Sequence, residues 1–187
     1  QALYSHTTGS ATDSYNTAIG YVAGSSITTG VNNTIIGGLA GDALVTGSYN
    51  VALGYGALSA ADGSESKNVA IGANSLAVLN NDGDAFNVAV GYSSGASMTT
   101  GVRNTIIGGL AGDAINTGEY NVAVGYGALS TEDQFGYNVA IGTFALLNQN
   151  AGANAHNVAV GYSAGTNVTT GGENTIIGGL AGDALTT

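Results

Sequence analysis

Cysteine, proline and tryptophan are absent from this 187-residue chain, and Lys67 and Arg103 are its only basic residues. Zero cysteine fits any redox compartment and rules out a disulfide framework. Glycine is abundant, at 32 residues, but with no proline and no three-residue period collagen is excluded. Twelve acids against two bases give a formal charge of -10. A polyanion is repelled by such a chain, so nucleic-acid binding is excluded, and anionic membrane surfaces are disfavoured for the same reason. No run of about 18 apolar residues occurs, so no membrane insertion by a helix is expected of this segment. Charged residues make up 7%, where about a quarter is ordinary. With a mean hydropathy of +0.21, that scarcity suggests side surfaces covered in an assembly.

What the chain does contain is a repeated pentapeptide: Asn, Val or Thr, Ala or Ile, an aliphatic residue, Gly. It begins at Asn16, Asn33, Asn50, Asn68, Asn87, Asn104, Asn121, Asn138, Asn157 and Asn174, in steps of 17 to 19 residues. A fixed short period means a solenoid of stacked units. The fold expected is all-β, a parallel solenoid of about ten coils spanning residues 16–187. Residues 1–15 are read as an incomplete N-terminal coil. No secretory signal is visible at Gln1, and the array stops at Thr187 partway through a repeat, so a fragment of a longer array is expected.

With Asn as position 1, positions 2 and 4 point to one face of a short strand and position 3 to the other. β-branched residues at these sites favour strand over helix. Position 5 is Gly20, Gly37, Gly54, Gly72, Gly91, Gly108, Gly125, Gly142, Gly161 and Gly178. A glycine in all ten units implies positive φ or close backbone approach. Position 8 is always Ala or Ser, and position 12 is apolar in most units, so a second strand is predicted over positions 7 to 12. Two parallel sheets would then enclose a thin aliphatic core. The apolar position 3 face, with Ala52, Ala70, Ala89 and Ala123, would need a cover, most simply self-association around a common axis. Position 9 runs Gly, Gly, Leu, Leu, and NTIIGGLAGDA returns from Asn33, Asn104 and Asn174, so four coils form a superrepeat of about 70 residues.

The Asn-Val-Ala-Ile-Gly units resemble the head repeats of trimeric autotransporter adhesins of the YadA type and related bacteriophage tail-fibre repeats. The resemblance covers about Asn16 to Ala184. It implies a left-handed β-roll, a homotrimer, and an extracellular role in attachment on a bacterial surface or a virion fibre. The period here is longer than in that family, so the outer turns are enlarged.

The Asn column reads as a ladder of stacked amides at one turn. Asp42, Asp113 and Asp183 lie four coils apart, roughly 19 Å, and cannot share an ion. Asn80-Asn81-Asp82-Gly83-Asp84 offers hard oxygens, making Asp82 and Asp84 weak metal candidates, although the spacing of an EF-hand is missing. Asp62 with Glu65, and Glu132 with Asp133, read as solvated outer turns. His6 and His156 are isolated, and no nucleophile elbow or supported carboxylate pair is present, so no enzymatic activity and no cofactor are expected. Thr28-Thr29, Thr99-Thr100 and Thr169-Thr170 recur too sparsely for an ice-binding array. Tyrosines at position 6 of the odd coils read as packing of a ring over a small neighbour, with a carbohydrate platform as the alternative.

The function expected is a non-enzymatic fibre segment that presents stacked turns to a cell-surface glycan or protein receptor. Asp62, Asp82, Glu132 and Asn150, in the turns that break the period, are the expected contacts. A purely structural spacer is the alternative, with an ice-binding solenoid behind it.

Overall fold

The computed structural model describes residues 1–7, 13–60, 63–132 and 134–187. Ten strands of three residues each form it: β1 Thr17–Ile19, β2 Thr34–Ile36, β3 Val51–Leu53, β4 Val69–Ile71, β5 Val88–Val90, β6 Thr105–Ile107, β7 Val122–Val124, β8 Val139–Ile141, β9 Val158–Val160 and β10 Thr175–Ile177. They lie in chain order in one parallel sheet, each residue paired with its equivalent one repeat on, as Ala52 is with Ala70. The chain is an all-β parallel solenoid, and no helix occurs among the described residues. Residues 1–7 stack on the first coil, with Leu3 N–H donating to the Ala23 carbonyl at 3.1 Å and Ser5 N–H to Ser25 at 3.0 Å.

The strand faces are the reverse of the expectation. Position 3 points into the coil: Ile35, Ala52, Ala70, Ala89, Ile106, Ala123, Ala140 and Ala159 are fully buried. Positions 2 and 4, which carry the larger Val and Ile, point outward and are half-buried or exposed. The cause is space. The interior also holds the small position 8 residues, the position 12 aliphatics such as Leu44, Met98 and Ile115, and the Asn side chains, all buried. In most coils this leaves room inside for no more than the one methyl group of Ala, so the bulky residues are outside; Ile35, Ile106 and Ile176 are the inward exceptions.

The four-coil superrepeat is a volume exchange within this core. Where position 3 is Ile, position 9 is Gly: a Cβ on Gly41 would stand 3.0 Å from Ile35 Cδ1, and one on Gly112 3.0 Å from Ile106 Cδ1. Where position 9 is Leu, as at Leu58, Leu76, Leu129 and Leu146, position 3 is Ala52, Ala70, Ala123 or Ala140. All four leucines are fully buried. Seven of the ten coils thus place one large side chain at one of two sites; the other three carry Ala18 with Gly24, Ala89 with Gly95 and Ala159 with Gly165. There the preceding coil fills the space, with Leu76 Cδ2 3.0 Å from a Cβ on Gly95 and Leu146 Cδ2 3.1 Å from one on Gly165.

The second strand does not form, so there is one sheet and not two. Positions 7 and 9 both take positive φ: Leu39 has φ 57° and Gly41 49°, Asn74 57° and Leu76 47°. Two left-handed residues in three cannot make an extended strand. A ladder of turns replaces it. Position 7 N–H donates to the position 6 carbonyl of the preceding coil, as Leu110 to Tyr92 at 2.9 Å. Position 9 N–H donates to the position 8 carbonyl of the next, as Gly112 to Ala128 at 2.9 Å. A leucine in this conformation costs roughly 1–2 kcal/mol, offset by burial of about the same size or more.

Two features lock the coils in register. The Asn side chains form the expected ladder: each Oδ1 accepts the backbone N–H of the next Asn, at 2.8 Å from Asn16 to Asn33 and 2.9 Å from Asn87 to Asn104. In most coils Nδ2 also reaches the carbonyl that closes its own coil, as Asn104 does to Gly118 at 2.8 Å. The eight Asn residues from Asn33 to Asn157 are buried. At position 5 the chain corners with φ between 127° and 140°, and the corners stack closely.

Candidate attachment surfaces

Three columns of side chains run the length of the rod. The first is the outward strand face, built from positions 2 and 4. Ten strands at about 4.8 Å, each about 13 Å across from Asn to Gly, make a patch on the order of 500–600 Å², at the upper limit of what a typical monomer exposes. Its ends are most open, with Ile19 at 60% and Ile177 at 69% exposure.

The second column is the residue before each Asn: Tyr15, Asn32, Tyr49, Lys67, Phe86, Arg103, Tyr120, Tyr137, His156 and Glu173. All ten have positive φ, between 48° and 64°, and so form the other corner of the coil. Six of these side chains, from Lys67 to His156, stack on a neighbour in the column. Tyr120 and Tyr137 lie 5.0 Å apart at 19°, and Tyr137 and His156 5.1 Å apart at 32°. Lys67 lies over Phe86 at 5.0 Å and Arg103 over Tyr120 at 5.3 Å. Both cations of the chain therefore sit in this column, held by ring faces. The sequence reading passed over it, although its signal was present: eight of these ten residues are aromatic, basic or histidine.

The third column is the position 6 tyrosines. Here the packing reading needs correction. Tyr21, Tyr55, Tyr92, Tyr126 and Tyr162 are exposed, from 52% at Tyr126 to 74% at Tyr21. Two do cover a glycine of the preceding coil: a Cβ on Gly38 would stand 3.6 Å from Tyr55 Cδ2, and one on Gly109 3.5 Å from Tyr126 Cδ2. The contact is made by Cδ2 and Cε2, one edge of the ring, and the rest of the side chain stays exposed.

The enlarged turns divide. Asp82 and Asn150 are exposed. Asp62 and Asp133 lie outside the described residues. Glu132 and Glu65, expected in solvent, are fully buried. Glu132 occupies the position 12 core column, where Oε1 accepts Phe135 N–H at 3.2 Å and Oε2 accepts Ala151 N–H at 3.3 Å. Glu65 Oε2 accepts Gly63 N–H at 3.2 Å. In both coils the carboxylate turns inward to satisfy backbone donors of the irregular turn.

Asp84 Oδ2 pairs with Lys67 Nζ, an exposed ion pair of small energetic worth. Among the described residues no three His, Asp or Glu side chains converge on a point. Asp42 and Asp113 stand alone in their turns, and burial holds both carboxyls above the ordinary 3.8. The first Thr of each pair ties coils together, as Thr28 Oγ1 does to the Val45 carbonyl at 3.2 Å. His6 and His156 are not brought together: His156 joins the corner stack, while both ring nitrogens of His6 are buried without partners.

The geometry is that of an extended surface with repeated, rigidly placed contacts. Compared with family models, curated proteins and solved structures, the chain matches none.

Proposed function

We propose that this chain is a non-enzymatic segment of an extracellular attachment fibre. The observation that carries the proposal is the outward strand face, a largely aliphatic surface interrupted only by Thr17, Thr34, Thr105 and Thr175, on a chain that has very few charges to keep it soluble. Covering that face with two further copies gives a left-handed homotrimeric β-roll, as the resemblance to YadA-type heads and tail-fibre repeats implies. The corners and turns then remain outside, repeated along the fibre and across three chains. Attachment follows from multivalency: weak contacts at equivalent sites combine into high avidity. The carrier on this reading is a bacterial surface or a virion, and the receptor a cell-surface glycan or protein.

The test is retention of the fluorescently labelled chain on a panel of intact bacterial and eukaryotic cells. The attachment reading predicts saturable retention on at least one cell type, competed by unlabelled protein in excess. A pure spacer predicts none on any.

A further inference from the structure

We propose that the position 6 tyrosines form a linear platform for a neutral, extended β-1,4-linked polysaccharide. This deepens the attachment reading and rests on it. Tyr21, Tyr55, Tyr92, Tyr126 and Tyr162 recur every second coil, a spacing of about 9.6 Å along the rod. An extended β-1,4-linked chain presents alternate sugars with the same face and has a closely similar two-sugar period. The even coils carry Gly38, Ala73, Gly109, Thr143 and Gly179 at the same position, so no second position 6 ring stands between successive tyrosines. From Tyr21 to Tyr162 the strip runs about 38 Å, long enough for a chain of several sugars.

The backbone that carries the rings is fixed before any ligand arrives. Each follows a corner glycine, and each backbone carbonyl is held by the next coil: Tyr55 accepts from Asn74 N–H at 2.9 Å, Tyr92 from Leu110 at 2.9 Å and Tyr162 from Leu180 at 2.8 Å. Phe144 braces Tyr126 edge-on at 5.6 Å and 79°. A tyrosine has only two side-chain torsions to order, so stacking a sugar on each ring costs little conformational entropy. Aromatic faces suit the C–H faces of pyranose rings, and the phenolic hydroxyls suit their equatorial hydroxyls.

The corner stack is not the platform. Tyr120, Tyr137 and His156 spend their faces on one another. Charge selects the ligand class: a formal charge of -10 repels sulfated or uronic polymers and leaves neutral chains.

Isothermal titration calorimetry with cellohexaose and chitohexaose tests this on the whole chain. The expected result is binding to at least one hexaose, at least tenfold tighter than to its disaccharide, with maltohexaose much weaker. Tyr92→Ala should weaken that binding roughly tenfold, and the triple variant Tyr55→Ala/Tyr92→Ala/Tyr126→Ala should abolish it. These side chains are exposed, so an unchanged circular dichroism spectrum separates lost binding from lost fold. The proposal is overturned if neither hexaose binds, if maltohexaose binds equally, or if the triple variant binds like the parent. Cell retention equal for parent and triple variant would remove the platform and leave attachment standing. Hexaose binding without cell retention would support the platform and sink attachment.

Discussion

Gly91→Ala is expected to destabilise the rod by at least about 4 kcal/mol, more than any ordinary surface change. Gly91 sits at φ 139°, a region that a residue with a Cβ seldom adopts. Its neighbour in the stack leaves no room either: the new Cβ would lie 2.5 Å from the Gly108 carbonyl oxygen and 2.6 Å from its carbon. Both obstacles are backbone, so no rotamer change relieves them. Separating the coils would break the ladder on each side, where Gly91 N–H donates to Ile71 at 2.7 Å and Gly108 N–H to Val90 at 2.7 Å. Gly152→Ala is the control, since a Cβ there meets no atom within 4 Å, and it should stay within about 0.5 kcal/mol of the parent. Urea unfolding followed by circular dichroism measures both. A repeat array can open locally, so hydrogen exchange should show the loss of protection strongest in the coils around Gly91. A Gly91→Ala protein as stable as the Gly152→Ala protein would mean that the corners do not stack as described.

Asn104→Leu carries the second large effect, expected at about 2–6 kcal/mol. The substitution keeps the branched shape and the number of heavy atoms and removes the hydrogen-bonding atoms. Asn121 N–H then loses its acceptor, Asn104 Oδ1 at 2.9 Å, and the Gly118 carbonyl loses its donor, Asn104 Nδ2 at 2.8 Å. The site is buried, so water cannot replace either partner, and each orphaned group costs about 1–3 kcal/mol. Asn16→Leu, at the half-buried end of the ladder, should cost less than half as much in the same unfolding assay. Equal costs at the two positions would mean that solvation, not the ladder, sets the energy.

The period, the Asn ladder, the corner glycines and the parallel stack were legible because each rests on a residue that recurs in every coil. Three features were hidden. The run from position 7 to position 12 looks like strand, since Val22, Leu39, Leu58 and Leu110 are ordinary strand or helix residues. Their positive φ is imposed by the stack, where neighbouring coils supply the hydrogen bonds and, at position 9, the core takes leucines such as Leu58. Propensity describes an isolated segment and does not register that override. The strand faces were reversed because Val and Ile look like core and Ala does not. Which face turns inward depends on how much interior the rest of the coil leaves, a quantity set by contacts between coils. The burial of Glu65 and Glu132 was hidden for a related reason: a carboxylate in a turn reads as solvated until the turn is known to lack backbone partners. The corner column before each Asn was visible but varied in chemistry, and its unity appears only as stacked rings and cations.

The central claim is that the outward face of this solenoid is covered by copies of the same chain. The most direct measurement is the native mass in solution by light scattering on a sizing column. The account predicts three times 18.2 kDa, held on dilution into the micromolar range. A stable monomer at 18.2 kDa would contradict it, because the aliphatic strand face would then stand in water unaided.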